Sequence, residues 1–346
     1  MNKFCLSCSQ ELVNRSKQWS NQKYCSAKCR KNHHRMKKTA MTRVERKRSN
    51  LTQNDEMLYL IRQCKQAGTV QVLHGHDLKS FKETMELIKA RPKGDVNLCH
   101  IAPVKGTHST GLLHHRNLFY GGAYQNKKFG NKYISGGLSI SNAALKRKWR
   151  VTRDMSNNDV LIKIEEFLLN VIPDYIKSSP VRKSKKVQIA KKITDVDPSA
   201  NFDELMFCSY KELCDSWSAI SGRLTQIPES KKESKYLAYM DSLTRFIDYG
   251  GVRAITLRKL RRIMVIAYMA LERVELSQTY NKYFYVKYEP LVKFKYGQAK
   301  LKNPDDWPIL KDLVYTTAFQ TLQGASLKTK AFQKLVLSYL ELSDNL

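Results

Sequence analysis

The chain of 346 residues carries 61 lysines and arginines against 31 aspartates and glutamates, a net charge of +30 with an isoelectric point near 9.8. So large an excess favours a polyanionic partner, nucleic acid first. The longest apolar run, Ile263 to Leu271, is too short to span a bilayer, and neither a lipidation signature nor the apolar stretch of a signal peptide is present, which argues against a membrane and for the cytoplasm. In that compartment eight cysteines read as metal ligands or buried thiols, not disulfides.

The first predicted element is a metal site. Cys5-x2-Cys8 and Cys25-x3-Cys29 are two short-spaced pairs at a separation that suits one tetrahedral Zn²⁺. Tyr24-Cys25-Ser26 opens a helix, with Ser26 as its N-cap. Two thiolates at a turn and two at a helix start resemble a treble-clef zinc finger. Beyond Cys29 the predicted helix is densely basic, with Arg30, Lys31, Arg35, Lys37, Lys38, Arg43, Arg46, Lys47 and Arg48. Beside a zinc knuckle that run points to phosphate contact, which positions a nucleic acid without reading its sequence.

From Asn50 to Lys93 the pattern is mixed. Met57, Leu60, Ile61 and Cys64 follow helical spacing, which makes Cys64 a core residue. Val70 to Asp77 reads as a strand running into a turn, where His74, Gly75, His76 and Asp77 suit either a surface turn or a metal. Phe81 to Ala90 is an amphipathic helix ending at Arg91-Pro92.

The stretch from Asn97 to Tyr133 carries the chemistry. It contains His100-Ile-x-Pro, a loop rich in glycine and histidine, Asn117-Leu118, then Asn126-Lys127-Lys128 with Gly130 after it. This resembles the HNH, or ββα-metal, nuclease motif, in which a strand ends in a histidine, a second strand begins at an asparagine and a short helix follows. The resemblance covers about a tenth of the chain and implies roles for single residues. His100 would be the general base, Asn117 would brace the strand pair, and Asn126 would offer its side-chain oxygen to Mg²⁺ or Mn²⁺. The motif's own lysines, Lys127 and Lys128, would meet phosphate. At the position before the base, where the family places a hard ligand, stands Cys99, a soft one. The order of zinc cysteines, basic helix and nuclease motif is similar in organisation to phage recombination nucleases of the NinG (Rap) type, which implies a phage or mobile-element origin.

After the motif, Ile134 to Trp149 is rich in glycine and serine, then basic, with Lys146, Arg147, Lys148 and Arg150 around Trp149: a second phosphate rim, or a loop anchored by the indole. Asn158 to Ile176 has helical periodicity, and Lys177 to Ala200 reads as a charged linker. Residues 201–346 read as a separate, mainly helical domain. Within it Leu257, Leu260, Met264, Ala267 and Leu271 make one apolar stripe, and Cys208 and Cys214 read as core. Tyr280 to Tyr296, aromatics interleaved with lysines, fits a stacking platform for single strands or a half-buried hairpin.

The expected fold is α+β: a treble clef with a basic helix over 1–50, a ββα-metal nuclease core over 51–176, the linker at 177–200 and the helical domain. The expected function is a metal-dependent DNA endonuclease or nickase, with structural Zn²⁺ and catalytic Mg²⁺ or Mn²⁺. A non-catalytic zinc-finger DNA-binding protein with a degenerate nuclease core, and an RNA-binding protein, are the competing readings.

Overall fold

A computed structural model describes residues 3–13, 19–92, 94–222, 235–274, 281–295 and 297–343, apart from the side chains at 20, 38, 40, 273 and 274. In chain order the elements are α1 (Ala27–Ser49), α2 (Asp55–Ala67), α3 (Leu78–Lys89), β1 (Val96–His100), β2 (Ser109–Gly111), β3 (Leu118–Gly122), α4 (Ala123–Phe129) and β4 (Ser139–Ser141). There follow α5 (Asn157–Leu168), α6 (Val171–Ser178), α7 (Lys185–Val196), α8 (Phe202–Leu205), α9 (Tyr210–Ser221), α10 (Lys235–Asp248), α11 (Ala254–Val274) and α12 (Lys282–Tyr288). The chain ends with β5 (Ala299–Leu301), α13 (Trp307–Leu322), α14 (Thr329–Ser338) and β6 (Leu340–Leu342). The fold is α+β and mostly helical; β1 pairs with β3, β2 with β4 and β5 with β6, all antiparallel. No described helix is long and apolar enough to cross a membrane.

By its internal contacts the chain divides into two compact units, 1–58 with 172–225 and 59–171 with 226–346.

In the first unit α1 is polar on every side, with no buried residue among those described, as a helix of such charge density must be. α7 and α9 pack together, burying Val187, Ala190 and Ile193 from one and Leu213 and Cys214 from the other. The stretch 177–200, expected as a linker, therefore contains a structured helix. Its lysines dominate the composition, but the three apolar residues spaced three apart form one buried stripe, and Ser184 caps the start by accepting from the Val187 N–H. Cys208 is only half-buried, unlike the core residue expected.

In the second unit α10 and α13 pack on β3 of the β1–β3 pair, and α11 packs in turn on α10 and α13. Phe119 of β3 meets the ring of Phe319 at 5.3 Å, and Phe129 meets the same ring at 5.5 Å. The open edge of β3 is satisfied by side chains of α10. The Tyr120 N–H donates to Ser242 Oγ at 2.9 Å, and the Gly122 N–H donates to Tyr239 Oη at 2.8 Å. Residues 235–343 and the β1–β3 pair thus share one core, contrary to the separate C-terminal domain expected from the sequence.

Three local expectations differ from the structure. Val70–Leu73 is a 3₁₀ turn, not a strand: Thr69 caps it and all four residues are buried, so no face alternates. The predicted helix Asn158 to Ile176 is two helices, α5 and α6, broken at Leu169 with φ of 48°. Between Tyr280 and Tyr296, which themselves lie outside the described residues, α12 replaces both the hairpin and the stacking platform. Asn281 caps α12, and Phe284, Tyr285 and Tyr288, spaced as one helical face, turn into the core. Phe284 packs on Tyr268 and Tyr236 and Tyr285 packs on Tyr268, while Tyr283 stays exposed.

Candidate active site and metal centre

The N-terminal cysteines come together. Cys5 and Cys8 sit on a tight turn closed by the Cys5 N–H donating to the Gln10 carbonyl at 2.8 Å and the Ser9 N–H donating to the Cys5 carbonyl at 2.9 Å. Ser9 takes a left-handed conformation, φ 57°, to make that turn. The Leu6 N–H reaches the Lys23 carbonyl at 3.0 Å, which ties the turn to the second cysteine pair. Ser26 caps α1 as expected, accepting from the Cys29 N–H at 3.2 Å, so that Cys25 and Cys29 flank the positive end of the helix. All four sulfurs lie within 4.8 Å of one another, with Cys8 to Cys25 at 3.5 Å and Cys25 to Cys29 at 3.4 Å. Four sulfurs about 2.3 Å from a tetrahedral Zn²⁺ stand roughly 3.8 Å apart, so the cluster fits that ion. Hydrogen bonding to Cys29 and then to Cys8 pushes the Cys25 thiol up to about 12. Cys8 is raised as well, while Cys5 is lowered to about 6 and Cys29 is lowered, so the four thiols do not all ionise together unaided, and a divalent cation would remove that conflict.

Of the basic residues on α1, Arg30, Lys31, Arg35, Lys37, Arg43, Arg46 and Arg48 are exposed, Lys47 is half-buried and the side chain of Lys38 lies outside the described residues. The last turn of α1 and residues 178–183 enclose a cleft of about 600 Å³ lined by Arg43, Arg46, Lys47, Arg182 and Lys183, with no carboxylate among the described residues. Lys47 is fixed there by donating to the Ile176 carbonyl at 2.9 Å. Arg182 and Lys183 were not among the expected phosphate-binding residues, because no local pattern signals that 177–200 folds back on α1.

The second site lies at the end of β1. His100 is the last residue of that strand, opposite Leu118, and the Ile101 N–H donates to the Asn117 carbonyl at 2.9 Å. Asn117 is fully buried and uses its whole amide on backbone. Its Oδ1 accepts from the N–H groups of Ala102 at 2.9 Å and Leu138 at 3.1 Å, while Nδ2 donates to the carbonyls of Leu112 at 2.8 Å and Ala102 at 3.2 Å. Gly137 lets the chain come so near, with φ of +74°; a Cβ there would stand 2.4 Å from Asn117 Oδ1. After β3 the chain enters α4, which carries Asn126.

His100 and Asn126 line one pocket of about 350 Å³, together with Gln323, Lys105, Lys127 and Lys132. No carboxylate lines it among the described residues. His100 Nε2 is buried with no hydrogen-bond partner among the described residues, and burial lowers the imidazole to about 4, which keeps it neutral at pH 7. Asn117 stays outside the pocket and shapes the loop behind it. Lys128 points away from it, over the Tyr124 ring at 5.7 Å. Cys99 is 1% exposed in the hydrophobic core, and burial pushes its thiol up to about 12. Cys99 also borders the His100 pocket, and a buried, protonated sulfur is a poor match for a hard cation. The pocket's own donors for Mg²⁺ or Mn²⁺ are amide oxygens, of the right hardness but without charge.

The other histidines do not join this site. His76 stacks on His114 at 4.8 Å between ring centroids, His114 meets His115 at 4.3 Å, and His115 Nδ1 bonds Tyr249 Oη at 2.8 Å. Asp77 caps α3, so the His-x-His-Asp stretch forms a helix entry, and the cysteine cluster is the one group of metal-ligating side chains among the described residues. Trp149 packs edge-on to Phe167 at 5.1 Å as the anchor of its loop. Gln323, Lys105 and Lys132 were missed because they belong to no motif, and Gln323 lies 223 residues from His100 along the chain. No family model, curated protein or solved structure matches this chain.

Proposed function

We propose that the protein is a metal-dependent DNA endonuclease or nickase of the HNH type, with His100 as general base. We assign the cysteine cluster to a structural Zn²⁺ in a treble-clef finger, and α1 to holding DNA by its phosphates. The observation that supports this reading best is the pocket at the end of β1. It is lined by His100, a neutral imidazole whose buried Nε2 has no partner among the described residues, by Asn126 of α4 and by three lysines.

Each residue has a defined task. With the proton on Nδ1, His100 presents a lone pair at Nε2 and takes a proton from the attacking water. Lys105, Lys127 and Lys132 draw the scissile phosphate in and offset its charge. Asn126 would offer a hard oxygen to the ion, and Asn117 holds the loop that follows the imidazole. When bound, Mg²⁺ or Mn²⁺ would neutralise charge on the phosphate and on the leaving 3′ oxygen.

A non-catalytic DNA-binding protein with a degenerate core is favoured by one observation: no carboxylate lines the pocket among the described residues, and a buried thiol precedes the base. Incubating the purified protein with supercoiled plasmid and Mg²⁺ or Mn²⁺ separates the two. Open-circular or linear product is expected, whereas intact plasmid that is merely retarded on a gel would hand the case to the binder.

A further inference from the structure

A second pocket, of about 510 Å³, lies on another face of α4. Asn126 and Lys127 line the His100 pocket, whereas Lys128 and Phe129 line this one, and Lys132 lines both. The shared lysine puts the two pockets side by side. The apolar wall of the second is largely aromatic: Phe129 and Tyr133 belong to it, with Phe319 of α13, whose ring meets that of Phe129 at 5.5 Å. Tyr133 is 51% exposed, a large ring open to solvent, yet it is tethered, because its hydroxyl donates to the Gly136 carbonyl at 2.9 Å. The polar members are lysines and neutral groups, among them the exposed amide of Gln320, and no carboxylate lines the pocket among the described residues. Rings, cations and amides without an anion suit a nucleobase. Its face stacks on the rings, its edge meets an amide that can both donate and accept, and the lysines meet the phosphates that flank it. A base paired in a duplex cannot enter such a pocket unless it is flipped out, and flipping costs least where the base has no partner.

Resting on the nuclease reading, we propose that this pocket takes one unpaired base of the strand whose phosphate enters the His100 pocket, with Lys132 between the two. The substrate class follows: DNA with an unpaired or single-stranded nucleotide at the cut, in preference to a perfect duplex.

The test uses the full zinc-loaded chain carrying His100→Ala, so that DNA is not cut. Its affinity is compared for duplexes of the same sequence that are fully paired, carry one unpaired thymine, or carry an abasic site in place of that thymine. The duplex with the unpaired thymine should bind about tenfold or more tighter than the paired one. The abasic duplex should lose most of that gain, since it bends as easily but has no ring to stack. With 5-iodouracil in place of the thymine, irradiation should cross-link the DNA to Phe129 or Tyr133, located by mass spectrometry. Tyr133→Ala, and Gln320→Trp, which fills the pocket from an exposed position, should each bring the ratio of unpaired to paired affinity close to one. A ratio unchanged in either folded variant, or an abasic duplex bound as tightly as the one with the thymine, would overturn the proposal; a wild type that still nicks plasmid would leave the nuclease reading standing. The thymine preference and the cross-link in a wild type that cuts nothing would support the base pocket and sink the nuclease reading.

Discussion

Asn117 carries more of the pocket's shape than any residue that lines it. Its four hydrogen bonds tie Ala102, Leu112 and Leu138 into one bend, and replacement by alanine takes this partner from two N–H groups and two carbonyls, all but the Leu138 N–H in buried bonds. Asn117→Ala should destabilise the second unit by about 3 kcal/mol or more, measured by urea unfolding, and should cost cleavage through disorder of His100 and not through loss of DNA affinity. The asparagine was legible in sequence from its place in the motif, but its partners were not, because Leu138 comes from a loop read only as rich in glycine and serine. A second prediction concerns the stacked histidines. Burial lowers His76 to about 4 and His114 to about 3, against an ordinary value of 6.5, whereas His115, with the Glu83 carboxylate 3.0 Å from its Nδ1, stands apart from that pair. Groups whose folded values are depressed in this way are neutral when native, and contribute stability that is present above 6.5 and is lost as pH falls from there through about 4. The thermal midpoint should therefore drop steadily from about pH 6.5 to about 4.5, and His114→Gln should flatten that drop. An equal slope in the variant would mean that other groups set the acid limit.

Among elements, the cysteine turn and α1 were the most legible, since the spacing of the four thiols and the capping serine are local facts of sequence. If they hold Zn²⁺, the preparation should contain about one zinc per chain, and a Cys25→Ser, Cys29→Ser double variant should lose it and unfold 1–50 before the rest. Stoichiometric zinc surviving in that variant would refute the assignment. The cleft at the end of α1 makes a separate prediction about charge. Neutralising Arg43, Arg46, Arg182 and Lys183 should lower the slope of log affinity against log salt by roughly 0.9 for each phosphate that these side chains neutralise, without altering sequence preference. An unchanged slope would mark them as solvated surface. Half of that cleft was illegible because lysines mask the apolar stripe of α7, and α12 was misread for a related reason. Aromatics interleaved with lysines suggested a hairpin or a stacking platform, while the deciding signal was the cap at Asn281.

Over the whole molecule, the chain's charge and its short motif pointed to a phosphodiester and to the residues that would act on it. What covers the motif was hidden from sequence, because it depends on packing between segments far apart along the chain. Ser242, Tyr239 and Phe319 close over β3, and Gln323 reaches the His100 backbone, none of them marked by any local pattern. The helices after residue 234 therefore belong to the pocket's structure as well as to its core. The central claim is that His100 does chemistry on DNA held by other groups, and the direct measurement is the cleavage rate of His100→Ala beside its DNA affinity. The rate should fall by roughly 10²–10⁴ or more, while affinity and thermal midpoint stay close to those of the wild type. Cleavage that persists in His100→Ala at the wild-type rate would place the chemistry elsewhere and contradict this account.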